Sequence, residues 1–336
     1  MVNNTYCGCT CSSLAQIMQK NNISTIFLLG FQYMDNFKFP FFTVLLGIYC
    51  VTLAGNSLII TLVFYSKNLQ SPMYFFLVQL SICDIMLTTD IVPNMLHIVL
   101  HDGATLSLSG CITQFYLFGS LESSECLLLT AMSYDRYLAI CNPLHYTYLM
   151  NHVFCLKLAI ICWLLSLSIN VVITFGVIKE DFCGPNVIDH FFCDFGPLLE
   201  LSCSDTSIVQ MISTFLCIPV IVCPIFLIIV SYTYIVLVIS KISSSTGRWR
   251  SFSTCSSHLT VVFIFYGTLI AMYVLPNKGK SLTINKMLSL MYTVLAPFFN
   301  PMIYSLRNKD IKDVLLKLMY NYSDYYYLIK SQIKIK

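Results

Sequence analysis

Ala131-Met-Ser-Tyr-Asp-Arg-Tyr-Leu-Ala-Ile-Cys141 closes a long apolar run and decides how the rest of the chain is read. Asp135 and Arg136 stand side by side where a hydrocarbon layer would end, and charge there is costly unless it has a task. Further up the same run come Glu122 and Glu125, which a lipid-facing helix would tolerate at neither position. A membrane-embedded helix with acids in its middle and an ion pair at its inner end has the chemistry of a signalling element.

Working outward, the whole chain carries the composition of a membrane protein. It has 336 residues, is 57% hydrophobic and 10% charged, with a mean hydropathy of +0.75. A soluble domain carries about 25% charged residues. The formal net charge of +3 gives no support to a nucleic-acid partner. Seven apolar segments reach the length of about 20 residues that a spanning helix needs. They lie near Phe39–Tyr65, Met73–Leu100, Thr113–Ile140, Val153–Val177, Ile208–Ile239, Ser251–Leu275 and Thr283–Leu306. The fold class expected is an all-α seven-helix membrane bundle. Internal Pro93, Pro219, Pro224 and Pro297 argue against straight rods, though membrane helices tolerate them.

Thirteen of the nineteen Lys and Arg residues fall on one set of loops and the tail, six on the other. Basic residues collect on the cytoplasmic side, so the N-terminus is expected outside and the C-terminus inside. The chain then divides into an outer segment, 1–38, a seven-span domain, 39–306, and an inner helix and tail, 307–336. No cleavable signal peptide is evident. Asn3-Asn4-Thr5 and Asn22-Ile23-Ser24 are glycosylation sequons on the outer side, whereas Asn321-Tyr322-Ser323 should face the cytoplasm. After the last span, Ile311, Leu315, Leu316 and Met319 are expected on one side of a surface helix, with Lys309, Lys312 and Lys317 opposite. The tail beyond, with Tyr325, Tyr326 and Tyr327, yields no functional reading.

The segment Ile178–Ser207 is long, acidic and holds Cys183, Cys193 and Cys203; it reads as an ordered outer lid. With Cys111 at the outer end of the third span they make four thiols in an oxidising compartment. Four cysteines allow three pairings, and the spacing does not choose among them.

Phe118, Glu122, Glu125, Cys126, Leu129, Ser133 and Arg136 follow three- and four-residue steps, so they share one helix face. Glu125 and Arg136 are eleven residues apart, which is about 16 Å along the axis. The second span adds Asp84, and the seventh adds Asn300 before Pro301. Neither Asp84 nor Glu125 can stay charged in hydrocarbon without a partner. The bland reading has each hydrogen-bonded and neutral; the sharper one makes them a polar hub that holds a sodium ion. Arg136 alone could be a snorkelling anchor, but that leaves Asp135 unexplained. The cysteines lack metal-ligand spacing with histidines, and no phosphate loop, zinc-protease helix or nucleophile elbow occurs.

An ordered set of segments runs from about Asn22 to Asn308. It comprises Leu28-Leu29-Gly30-Phe31, Gly55-Asn56, Pro72-Met73-Tyr74-Phe75-Phe76-Leu77, and Leu80-Ser81 with Asp84. It continues through Met132-Ser-Tyr-Asp-Arg-Tyr137, Pro143-Leu-His-Tyr146, Ser231-Tyr232, Phe252-Ser-Thr-Cys-Ser-Ser-His258 and Pro297-Phe-Phe-Asn-Pro-Met-Ile-Tyr304-Ser-Leu-Arg-Asn308. Each segment is weak alone, but in this order the chain resembles vertebrate olfactory receptors. These are rhodopsin-like G-protein-coupled receptors, and the long loop with three cysteines fits the tetrapod class.

The resemblance implies disulfides Cys111–Cys193 and Cys183–Cys203. It implies an inner switch of Asp135, Arg136, Tyr137, Tyr232, His258 and Tyr304, and an ion-linked hub of Asn56, Asp84, Glu125 and Asn300. It implies a small volatile odorant as ligand, coupling to a heterotrimeric stimulatory G protein of the olfactory type that raises cyclic AMP, and residence in the plasma membrane among lipid, in olfactory cilia. No organic cofactor is implied. By the same transfer the odorant cavity lies between spans three, five, six and seven, on Phe118, Gly119, Glu122, Ser123, Cys126, Leu216, Val220, Tyr266, Leu269, Ile270, Tyr273 and Thr293. Pocket walls and bundle core share composition, so some of these residues are expected only to pack.

Glu122, if ionised, suits an amine; if protonated, it donates to a carbonyl or alcohol. Glu125 one turn away favours protonation of at least one of them, so a neutral oxygen-bearing odorant is expected ahead of an amine. The chain departs from the family in a longer N-terminus, with Met18 where a typical member begins, so 1–17 reads as an over-extended start. The tail also lacks a cysteine for palmitoylation. Rival readings are a related receptor for a non-odorant ligand, a transporter or channel using the buried carboxylates as an ion path, and an intramembrane enzyme, which lacks a nucleophile–base constellation.

Overall fold

The computed structural model describes residues 23–31, 36–273, 282–308 and 310–317. Its seven long helices are α1 Lys38–Tyr65, α2 Pro72–His101, α3 Leu108–Cys141, α4 His152–Ile178, α5 Ser207–Ser240, α6 Ser245–Tyr273 and α7, residues 282–307. Asn3 and Asn22, the asparagines of the two outer sequons, lie outside the described residues, as do 1–17 and the tyrosine-rich tail.

Six of the seven are long and apolar enough to cross a membrane; α3 is the marginal one. Its polarity follows from its place. It packs against α2, α4, α5 and α6, so its polar groups meet protein rather than lipid. In α1, by contrast, Leu45, Thr52, Asn56, Ile59 and Leu62 mark the single buried stripe, and Phe39, Val44, Val51 and Phe64 are exposed. Exposed apolar faces of this kind suit a hydrocarbon solvent.

Proline shapes several spans. Pro72 sits in the first turn of α2, where a missing N–H costs little. In α7 the ladder changes over Met291–Leu295 to a π turn just before Ala296-Pro297. Proline has no N–H to give the preceding turn, and a π turn re-phases the helix around such a break.

The outer end carries an element the sequence reading did not foresee. Strand β1, Thr25–Leu28, pairs antiparallel with β2, Ala104–Ser107, in the register Thr25↔Ser107 to Leu28↔Ala104. It pairs in parallel with β3, Val187–Ile188. This small sheet joins the N-terminal segment, the α2–α3 connection and the long lid. The lid is pinned to α3 by Cys111–Cys193, with Cα atoms 5.5 Å apart, and closed on itself by Cys183–Cys203 at 5.8 Å.

Lys286, counted in the sequence among outer basic residues, is buried in α7 and holds the lid down. Its ammonium donates to the Gly30 carbonyl at 2.7 Å and pairs with Asp189. Gly30 turns the chain at φ +63°, a conformation that costs glycine little.

At the inner end a helix covers 310–317. Ile311 is buried and Val314 and Leu315 half-buried, but Leu316 is 43% exposed. Leu316 lies five residues on from Ile311, about 140° around a helix, so it does not share the buried stripe of Ile311 and Leu315. Lys312 and Lys317 are exposed as expected, while Lys309 and Met319 lie outside the described residues.

Candidate ligand cavity and inner clasp

A cavity of about 440 Å³ opens beneath the lid between α3, α4, α5 and α6. It falls within the range of about 300–1,000 Å³ that small-molecule sites occupy. From α3 come Phe118, Gly119, Glu122, Ser123 and Cys126, with Val220 from α5 and Leu269 from α6. These sites agree with the transferred set.

Four of the remaining members, Leu216, Tyr266, Ile270 and Thr293, are not among its lining residues. Tyr266 is buried but turned to α3, its hydroxyl donating to the Cys126 carbonyl at 3.2 Å. Thr293 is buried in α7 and donates to Ser289 one turn back. Ile270 is 42% exposed on the outside of α6, and Leu216 is half-buried beside the cavity. The Tyr273 side chain lies outside the described residues.

The expected α7 wall is replaced by α4 and the lid: Ile169, Asn170 and Ile173, with Asp194 and Phe195, close the space. Close approach of α3 and α4 explains the replacement. A Cβ at Gly119 would stand 2.5 Å from Asn170 Oδ1, so only glycine lets the helices meet there. Asn170 then reaches α3, donating to Ser123 Oγ at 3.1 Å. Polar groups from α5, Ser213 and Thr214, also face the cavity. Only the Gly119-to-Ser123 pattern of small residues hinted at this crossing.

Glu122 Oε1 is shut from solvent without a hydrogen-bond partner. Above it, Asp194 caps the short helix Phe195–Leu199, accepting from its own neighbour, the Phe195 N–H, at 2.8 Å. Burial pushes the Asp194 carboxyl up to about 6. Deeper in the bundle, Asn300 donates to both Asp84 oxygens at 3.0 and 3.2 Å. Glu125 lies within interaction distance of Asp84, and neither of its own oxygens has a well-formed hydrogen bond. Asn56 donates to the Thr52 carbonyl and to Pro297 of α7, leaving Oδ1 unpartnered. Asp84, Asn300 and Glu125 therefore meet, while Asn56 ties α1 to the Pro297 turn of α7.

At the inner end Arg136 donates through Nε and Nη2 to Asp135 Oδ2, at 3.0 and 2.6 Å. Asp135 is fully buried and also accepts from the Tyr146 hydroxyl at 2.9 Å. Tyr232 and His258 bond directly. Tyr304 is buried nearby with no partner for its hydroxyl, and Tyr137 packs edge-on against Tyr234. The expected switch is thus two separate clasps, Asp135–Arg136–Tyr146 and Tyr232–His258. Tyr146 is the member missed, although its segment had been singled out.

Residues 45–322 match the family model described as olfactory receptor. The chain is 44% identical over 305 residues to human olfactory receptor 11L1, covering 90% of this chain and 95% of that protein. It is 45% identical over 295 residues to mouse olfactory receptor 5P52, covering 88% and 95%. Human olfactory receptor 6N1 is 44% identical over 295 residues, with the same coverage.

Proposed function

The chain belongs to the olfactory receptor family, as an odorant-sensing, multi-pass plasma-membrane receptor that signals through a G protein to cyclic AMP, and from that premise we propose how it does so. The odorant occupies the α3–α4–α5–α6 cavity, and the G protein engaged is the stimulatory, olfactory type. The observation carrying this reading is the cavity itself: ligand-sized, mostly apolar, and lined on α3 by Glu122, whose Oε1 is buried beside it without a partner. Apolar walls select by shape, and a few convergent polar groups fix orientation.

Arg136 held by Asp135 defines a resting inner face. A ligand favours the alternative state only through unequal affinity for the two. Contact to Glu122 reaches the stretch of α3 to which Tyr266 of α6 is hydrogen-bonded at Cys126, and the same helix continues to Arg136. Release of Arg136 then offers a cation to the G protein.

The hub chemistry fits a sodium ion, which takes hard oxygen donors as other small cations do. Asp84, the two Glu125 oxygens and Asn56 Oδ1 would hold it and so favour the resting bundle. Its charge, when bound, would neutralise buried carboxylates; the chain's own residues supply the geometry.

The test is a cyclic-AMP reporter assay over a broad odorant set, with Ile173→Trp filling the cavity from α4. Activation by some odorants, lost in the filled variant at equal surface expression, supports the site. An unchanged response in that variant removes it.

A further inference from the structure

We propose that the cavity selects an amine carried as its ammonium ion, held jointly by Glu122 and Asp194. This rests on the cavity being the odorant site.

Two carboxyl groups open on the space, Glu122 from α3 and Asp194 from the lid. Among the described lining residues there is no Lys, Arg or His to answer them. Glu122 lines the cavity, and its Oε1 is shut from solvent and unpartnered. Asp194 is 6% exposed. Its Oδ1 is engaged by the Phe195 N–H, so its other oxygen is the one offered to a ligand. The two acids lie within electrostatic reach of each other.

Beside a neutral odorant the two buried acids are driven to keep their protons, because unpaired charge in a dry cavity is heavily penalised. An ammonium group answers both at once with charge-assisted hydrogen bonds. Alkylamines titrate near the lysine value of about 10.4, so they arrive charged. The aromatic surroundings agree. Phe115 and Phe195 stack with centroids 5.9 Å apart at the cavity wall, and ring faces attract cations. Ile173, Ile218 and Leu269 accept the hydrocarbon body. The sequence favoured a neutral odorant because Glu125, one turn from Glu122, favours protonation of at least one of them; Asp194, arriving from the lid as a second acid in the cavity, reverses that preference.

The test compares amines with alcohols and aldehydes of the same carbon skeleton in cyclic-AMP reporter cells expressing the intact receptor. Amines should activate at concentrations at least ~10-fold lower than their neutral counterparts. Glu122→Gln and Asp194→Asn should each weaken amine potency by ~10-fold or more, as expected when one partner of a buried charge pair is lost. Asn caps a helix as well as Asp does, so Asp194→Asn removes the charge while keeping the lid helix, and surface staining checks that the receptor is delivered. Alcohols or aldehydes activating while amines stay silent would overturn this inference and leave the cavity reading intact. An amine response that Asp194→Asn leaves unchanged would remove Asp194 from the site. Silence toward both classes in a receptor present at the surface would overturn the inference and the cavity reading together.

Discussion

The Tyr232 hydroxyl stands 2.7 Å from His258 Nδ1, and Nε2 of the same ring faces the Leu129 carbonyl at 3.2 Å. With the proton on Nε2, the ring donates to Leu129 and accepts from Tyr232. One imidazole therefore clips the inner half of α6 to both α5 and α3. Each such bond contributes about 1 kcal/mol. His258→Leu removes both and should raise ligand-free cyclic AMP several-fold at matched surface expression; unchanged basal signalling would contradict the clip.

The Asp135 clasp gives a second expectation. Asp135 is fully buried and accepts from Arg136 and from Tyr146, so Asp135→Asn frees the guanidinium and should raise basal cyclic AMP. Tyr146→Phe deletes one hydrogen bond and should act in the same direction but more weakly. A basal level that stays flat in both variants would show that Arg136 is not restrained by this clasp.

Sodium dependence tests the hub. If Asp84 and Glu125 hold sodium as proposed, replacing sodium by choline around the purified receptor should raise ligand potency, because the resting bundle then loses a stabilising ion. Asp84→Asn should abolish the difference between the two salts. Equal ligand potency in sodium and choline for the unmodified receptor would exclude the ion.

Stability against pH follows from two lid residues that oppose each other. Burial lifts Asp194 from 3.8 to about 6. Between those values the folded chain keeps a proton that the unfolded chain has shed, so this group's contribution to stability falls as pH rises. Burial, helped by the charge of Lys286, holds His190 down at about 4. Between about 4 and its ordinary 6.5 the unfolded chain takes the proton and the fold does not, so this contribution rises with pH. From pH 7 to pH 5 the two nearly cancel. Asp194→Asn unmasks His190 and should cost about 2 kcal/mol over that interval, seen as a lower melting temperature. A variant as indifferent to pH as the parent would contradict this balance.

The sequence made some features legible and hid others, for physical reasons. Three- and four-residue steps along α3 place Glu122, Glu125 and Arg136 on one face because helix periodicity is local. The cavity wall is not local: it depends on how closely helices cross, and the Gly119–Asn170 approach that brings in α4 has no periodic signature. Ile270 and Tyr266 stand four residues apart on α6, yet one is 42% exposed and the other buried, since the rotation of α6 is set by its neighbours. Thr25–Leu28 is too short to announce a strand before its partners are known. Lys286 counts in the sequence only as one of six outer basic residues, because nothing nearby in sequence shows that Gly30 and Asp189 converge on it.

The account's central claim is that a ligand in the outer cavity frees Arg136 for the G protein. Its most direct test is nucleotide exchange on purified stimulatory G protein, driven by the receptor in lipid nanodiscs, with ligand binding followed in parallel. The account predicts that exchange rises with ligand in the unmodified receptor, and that Arg136→Ala still binds ligand but leaves exchange at its basal rate. Ligand-stimulated exchange that persists undiminished in Arg136→Ala would contradict it.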